Sequence, residues 1–186
     1  MSGPLPLAGL IRTFMYSSHP FWSQEVPRVD GQLLLTPCPG TQQVPLTLAL
    51  DQLRLAGAHG VVTLMTNVEL TRLELAPLGQ QVEHEGMRWF HLPIEDDLAP
   101  DAAFEAAWQQ ALPQLRELLG DGKHLVIHCK GGSGRTGLVA AALLMTLGQP
   151  QQEAMATIKA HRPKAFTLAC HRQWLDQLAE GLAQGD

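Results

Sequence analysis

The run His128-Cys129-Lys130-Gly131-Gly132-Ser133-Gly134-Arg135-Thr136-Gly137 follows the short apolar stretch Leu125-Val126-Ile127. Three of the five residues between Cys129 and Arg135 are glycine. Such a stretch can adopt positive φ and turn successive N–H groups inward, forming an anion nest. A helix expected to begin near Thr136 adds the partial positive charge of its N-terminus at the same place. Arg135 offers a planar fork that grips two oxygens of a phosphate. Cys129 stands in the middle of this positive field, which favours thiolate over thiol. The loop that holds a phosphate thereby also makes the nucleophile that attacks it. The expected chemistry is a covalent phosphocysteine intermediate, formed and broken in two displacements. Thr136 is expected to hydrogen-bond the sulfur and ease its departure. Lys130, Gly131, Gly132, Ser133, Gly134 and Arg135 are the expected phosphate-binding residues. A nucleotide P-loop does not fit, because Gly-Lys-Ser/Thr is missing and the loop starts with cysteine.

An alkoxide or phenoxide leaving group needs a proton, and a positioned carboxylic acid supplies it at a gain of about 10²–10⁴ in rate. Pro93-Ile94-Glu95-Asp96-Asp97-Leu98-Ala99-Pro100 offers such carboxyls on a loop that follows an expected strand. That is where an α/β sheet carries its active-site loops. Asp96 and Asp97 both remain open as the acid on the residues alone. Asp101 reads as a helix N-cap. No metal and no cofactor is expected, since Arg135 and the loop amides neutralise the phosphate. The cysteines Cys38, Cys129 and Cys170 also lie too far apart for a zinc pattern.

These residues need a scaffold. Gln32–Thr36, Val61–Met65, Arg88–Ile94 and Leu125–His128 read as short strands. Leu46–Ala56, Val68–Leu78, a span from Asp101 to about Leu119, and segments near 136–147, 150–161 and 167–183 read as helices. Pro113 inside the span from Asp101 to about Leu119 predicts a kink or break there. Alternation of this kind gives an α/β fold with a largely parallel central sheet flanked by helices. Residues 1–31, with Pro4, Pro6, Pro20 and Pro27, read as an irregular N-terminal arm pinned by Phe14, Tyr16, Phe21 and Trp22. Residues 32–186 read as a single domain, with no linker or repeat. Glu69 and Arg72 read as a solvated pair, in preference to a contact with the cysteine loop from a neighbouring helix.

A net charge of −5 argues against a nucleic-acid or anionic-membrane binder. No apolar run approaches the length of a membrane span, and the start of the chain lacks a basic n-region. An odd count of three cysteines favours a reducing compartment over a disulfide framework. The expectation is a cytoplasmic monomer acting on a phosphorylated protein or small phosphomonoester.

The loop from His128 to Gly137 resembles the signature loop of the cysteine-dependent protein tyrosine phosphatase superfamily. The chain length and the acidic loop resemble its dual-specificity branch. Leu35-Thr-Pro-Cys-Pro-Gly40, Gly60-Val-Val-Thr-Leu64, Leu92–Pro100 and Ile158-Lys-Ala-His-Arg-Pro163 are similar to the kinase-associated phosphatase group. The resemblance covers about 33–180 and implies a phosphatase-like fold and a protein tyrosine or dual-specificity phosphatase. It implies Asp96 as the general acid, in a Pro-Ile-x-Asp setting 33 residues before Cys129, with Asp97 the alternative. It further implies that His128 orders the loop from behind, and that Lys130 and Ser133 point outward and tune substrate choice. The glutamine that positions water in tyrosine-specific relatives has no counterpart in Phe166–His171. Phosphoinositides are an alternative substrate class, because Lys130 follows the nucleophile as in relatives that cleave them. The rival functions are a phosphate-binding pseudophosphatase and a rhodanese-like sulfur transferase, the latter disfavoured by Arg135-Thr136-Gly137.

Overall fold

The computed structural model describes residues 18–184. Five short strands form one sheet in the order β1-β2-β5-β3-β4. They are β1 (Trp22–Glu25), β2 (Gln32–Thr36), β3 (Ala58–Thr63), β4 (Arg88–His91) and β5 (His124–His128). Strands β2, β5, β3 and β4 run parallel, and β1 pairs antiparallel with the β2 edge. The helices are α1 (Leu46–Leu55), α2 (Asn67–Arg72), α3 (Leu78–His84), α4 (Ala102–Gly120), α5 (Gly134–Thr146), α6 (Gln151–His161) and α7 (Ala169–Gln184).

Strands β2, β3 and β5 are buried on both faces, and their side chains alternate between two cores. Leu33, Leu35, Val62, Leu125 and Ile127 face α4, α5, α6 and α7, against Phe104, Trp108, Leu138, Ile158 and Leu175. Leu34, Val61 and Val126 face the opposite way, against Leu50 and Leu53 of α1 and Leu78 and Val82 of α3. Helix α5 is apolar all round, and every residue from Arg135 to Thr146 is buried. It is the central pillar of the first core, and it starts directly at the cysteine loop.

Three sequence expectations are corrected. Trp22–Glu25, read as part of an irregular arm, is an edge strand, and Val26 closes onto the core. Phe21 packs on the second core and the Arg162 guanidinium lies 3.4 Å from the Trp22 ring centroid, while Phe14 and Tyr16 lie outside the described residues. The single helix expected over 68–78 is instead two short helices. Glu74 takes φ +59 after α2, and Leu75 N–H reaches back to Leu70 C=O at 2.8 Å, a Schellman turn built without glycine. Pro113 does not break α4: it and Gln109 are exposed, so the carbonyl that loses its partner faces water. Asp101 caps α4 as expected, accepting from Phe104 N–H at 2.8 Å.

Candidate active site

Parallel pairing sets Thr36 of β2 and Thr63 of β3 on either side of His128 at the end of β5. Cys129 is the next residue, so the expected nucleophile leaves the carboxyl end of the central strand. The loop is fixed to its neighbours by backbone bonds, Cys38 N–H to Lys130 C=O at 3.1 Å and Leu64 N–H to His128 C=O at 3.0 Å. Gly132 has φ +70, and a Cβ there would lie 2.5 Å from Thr36 C and Pro37 N. This glycine lets the loop lie flat on the β2 turn. Helix α5 then begins at Gly134, and Gly137 N–H bonds Ser133 C=O at 2.8 Å.

His128 lies behind the loop. Trp89 Nε1–H donates to Thr63 Oγ1 at 2.9 Å, and Thr63 Oγ1 lies 2.8 Å from His128 Nε2. The other ring nitrogen faces Cys129 C=O at 3.4 Å. Burial pushes the His128 imidazole down to about 4, so it is neutral and ties β5 to β3. Cys38 is wholly buried under the loop, and burial, helped by the charge of Cys129, pushes its thiol up to about 12.

Arg135 is 3% exposed and held from several sides. Its Nη1 and Nη2 each donate to one carboxylate oxygen of Glu69 at 2.8 Å. Nη1 also reaches Ile94 C=O at 2.8 Å and Leu64 C=O at 3.4 Å. Glu69 in turn closes a capping box with Thr66 at the start of α2. Burial raises the Glu69 carboxyl, but the hydrogen bonds from Arg135 and the Thr66 N–H outweigh it and hold it below its ordinary value. The solvated-pair expectation for Glu69 is thus corrected: its partner is Arg135, 66 positions away.

Asp96 Oδ1 lies 3.0 Å from Arg135 Nη2, and its side chain is 64% exposed. Asp97 turns the loop with φ +61. Both border a cavity of about 470 Å³ together with Cys129, Lys130, Gly131, Ser133, Gly134 and Arg135. Gly132, His128 and Thr136 lie behind this wall. The expected bond from Thr136 to the cysteine sulfur is not formed: Thr136 Oγ1 is buried with no hydrogen-bond partner among the described residues. Sequence reasoning missed Lys164, Thr167, Leu168 and His171, which complete the cavity from the segment joining α6 to α7. The resemblance had pointed to Phe166–His171 only for its missing glutamine, and gave none of these four residues a role. Cys38, Cys129 and Cys170 are free thiols.

With this geometry in hand, comparison with known proteins is informative. Residues 39–149 match the family model described as "Tc-R-P: Polymorphic toxin system, DSP-PTPase phosphatase". Cyclin-dependent kinase inhibitor 3 of Rattus norvegicus is 32% identical over 105 residues, 55% of this chain and 48% of the relative. Putative tyrosine phosphatase 067L of Invertebrate iridescent virus 3 is 32% identical over 91 residues, 46% of this chain and 38% of the relative. The chain spans about half the length of the first of these curated relatives. Among solved structures, kinase associated phosphatase with its catalytic-site cysteine changed to serine superposes with a TM-score of 0.79 at 23% identity, covering 90% of this chain and 97% of that one. Tk-PTP in the active form gives 0.65 at 26% identity, covering 85% and 96%. The sheet topology is that of these phosphatases, and the family match runs from the β2 turn across the cysteine loop to the end of α5 and covers more than half of the chain, so the chain belongs to the DSP-PTPase family of dual-specificity and tyrosine phosphatases.

Proposed function

We propose that the chain hydrolyses phosphomonoesters of proteins, preferring phosphotyrosine and accepting phosphothreonine and phosphoserine more slowly. The observation that carries this is the setting of Arg135. Glu69 holds the guanidinium end-on, and Asp96 is its only other charged partner among the described residues. The edge formed by Nε and Nη2 is left to grip two phosphate oxygens beside Cys129.

In the first step the Cys129 thiolate attacks phosphorus, forming an S–P bond while the P–O bond to the leaving group breaks. The electron pair leaves on that oxygen, which takes the proton of Asp96. In the second step water attacks phosphorus, Asp96 takes a water proton, and the S–P bond breaks to return thiolate and inorganic phosphate. The arriving phosphate competes with Asp96 for Arg135 Nη2, which turns the carboxyl from the arginine toward the leaving group. The loop N–H groups of Lys130 to Gly134 and the α5 N-terminus stabilise the charge that gathers on the equatorial oxygens. His128 and Thr136 support the loop from behind.

The test is turnover of p-nitrophenyl phosphate with a chelator present. Chelation is expected to have no effect, vanadate to inhibit competitively, and Cys129→Ser to abolish turnover while keeping oxyanion binding. Retained turnover in Cys129→Ser would refute the mechanism, and no turnover by the wild type would leave a phosphate-binding module.

A soluble phosphoinositide is the second reading. Lys164 adds a second lysine to the cavity beside Lys130, more cationic than the loop alone suggested. Comparing kcat/KM on a phosphotyrosine peptide, a phosphothreonine peptide and a soluble phosphoinositide decides the matter, with a tenfold phosphoinositide advantage favouring the second reading. The proposal takes the enzyme as a cytoplasmic monomer, to which its free thiols are suited. No helix among the described residues is long and apolar enough to cross a membrane.

A further inference from the structure

We infer that His171, at the start of α7, is a positioning residue that clamps the loop carrying Asp96. Resting on the reading of Asp96 as the acid, this adds a residue that neither the cysteine loop nor the acidic loop contains. His171 is 1% exposed, borders the cavity with Cys129 and Asp96, and lies 2.8 Å through Nε2 from Leu98 C=O. A carbonyl only accepts, so Nε2 carries the proton and donates. Cys170 makes a second, weaker contact, Sγ to Asp97 C=O at 3.8 Å. Two consecutive carbonyls of the acid loop, at Asp97 and Leu98, are thus held by two consecutive residues of α7.

The loop needs such an anchor. Residues 95–98 are all exposed, and Asp97 sits at φ +61 without being glycine. Inside the loop only one backbone bond closes the turn, Leu98 N–H to Glu95 C=O at 3.2 Å. Arg135 holds the loop on the near side, at Ile94 C=O and Asp96 Oδ1, and the carbonyls just after Asp96 are the far side that His171 and Cys170 grip. The partner is itself fixed. Arg172 Nη1 donates to Phe166 C=O and Thr167 C=O, bracing the turn that leads into α7, and Trp174 Nε1 donates to Glu105 of α4. His171 Nδ1 is buried with no partner among the described residues, so all of the ring's hydrogen bonding to the protein goes through Nε2 to Leu98 C=O.

The clamp acts through Asp96, so it matters in proportion to the need for a proton. The experiment compares His171→Gln, whose amide reaches the position of Nε2, with His171→Asn, which is too short to reach Leu98. Each is assayed on phenyl phosphate, a poor leaving group, and on p-nitrophenyl phosphate, a good one. His171→Asn is expected to lose about tenfold or more in kcat on phenyl phosphate with KM little changed, and no more than about twofold on p-nitrophenyl phosphate. His171→Gln is expected to stay close to wild type on both. Equal losses of His171→Asn on both esters, no loss on either, or a His171→Gln variant as poor as His171→Asn would overturn the clamp. Failure of the parent reading looks different: an Asp96→Ala enzyme with no leaving-group dependence removes the acid itself and the clamp with it.

Discussion

Asp96 Oδ1 lies 3.0 Å from Arg135, the proposed phosphate grip, whereas Asp97 uses its backbone to turn the loop at φ +61. The two neighbours therefore answer differently to truncation. Asp96→Ala is expected to lower kcat by about 10²–10³ on poor leaving groups with KM little changed, because the proton is needed only in the transition state. Asp97→Ala is expected to leave that leaving-group dependence intact, and steady-state kinetics on a series of aryl phosphates separates the two. Glu69 is the other residue with a measurable role, since both its oxygens hold the Arg135 fork. Glu69→Gln keeps the shape but removes the charge and offers only one acceptor. It is expected to cost about tenfold or more in kcat/KM on every ester alike, because a tilted fork misplaces the phosphate whatever the leaving group. An unchanged kcat/KM would mean that Ile94 and Leu64 carbonyls alone orient the arginine.

The cysteine loop meets β2 at Gly132, where a Cβ would stand 2.5 Å from Thr36 and Pro37 backbone atoms and φ is +70. Backbone cannot swing away as a flexible side chain can, so Gly132→Ala is expected to lower the thermal midpoint by about 5 °C or more and to cut kcat/KM sharply. Gly131→Ala, with nothing within 4 Å of its Cβ, is expected to keep its thermal midpoint. Calorimetry on the pair tests whether the glycines serve shape at one position and access at the other. The β-branched and leucine-rich strands were legible as short continuous apolar runs, because a strand buried on both faces has no polar side. The cysteine, arginine and acidic loop were legible because their chemistry demands particular residue types. Glu74 ending α2 in place of glycine hid the split between α2 and α3. The four residues that β1 contributes are too few and too polar to announce a strand. Glu69 was weighed as a loop contact and set aside, and Lys164 and His171 were given no role, for another reason: each acts on a partner far away in sequence, and a single chain read linearly does not fix such pairings.

At the scale of the whole molecule, several histidines are folded in neutral form. Burial lowers His128 to about 4 and also lowers His19 and His171. The unfolded chain binds protons at these rings that the folded chain refuses. Stability is therefore full above the ordinary histidine value of about 6.5 and is lost as pH falls from there toward about 4. His128 alone is expected to account for about 3 kcal/mol across that window. Urea titrations at pH 7 and pH 4.5 check this, and a midpoint that does not fall would contradict it. Arg135 belongs to this scale as well as to the residue scale. Its bonds to Leu64, Ile94 and Glu69 join the segments leaving β3 and β4 to α2, all from the first turn of the central helix. Cys129 has no such bonds to lose. A descendant that abandoned turnover could discard the thiol and remain folded, but discarding the arginine would strip the Ile94 carbonyl of its donor and leave the Glu69 carboxylate held by Thr66 alone. Decay of the activity in a lineage is therefore expected to run in one direction, cysteine first and arginine last, and a survey of inactive relatives would read that order in their sequences.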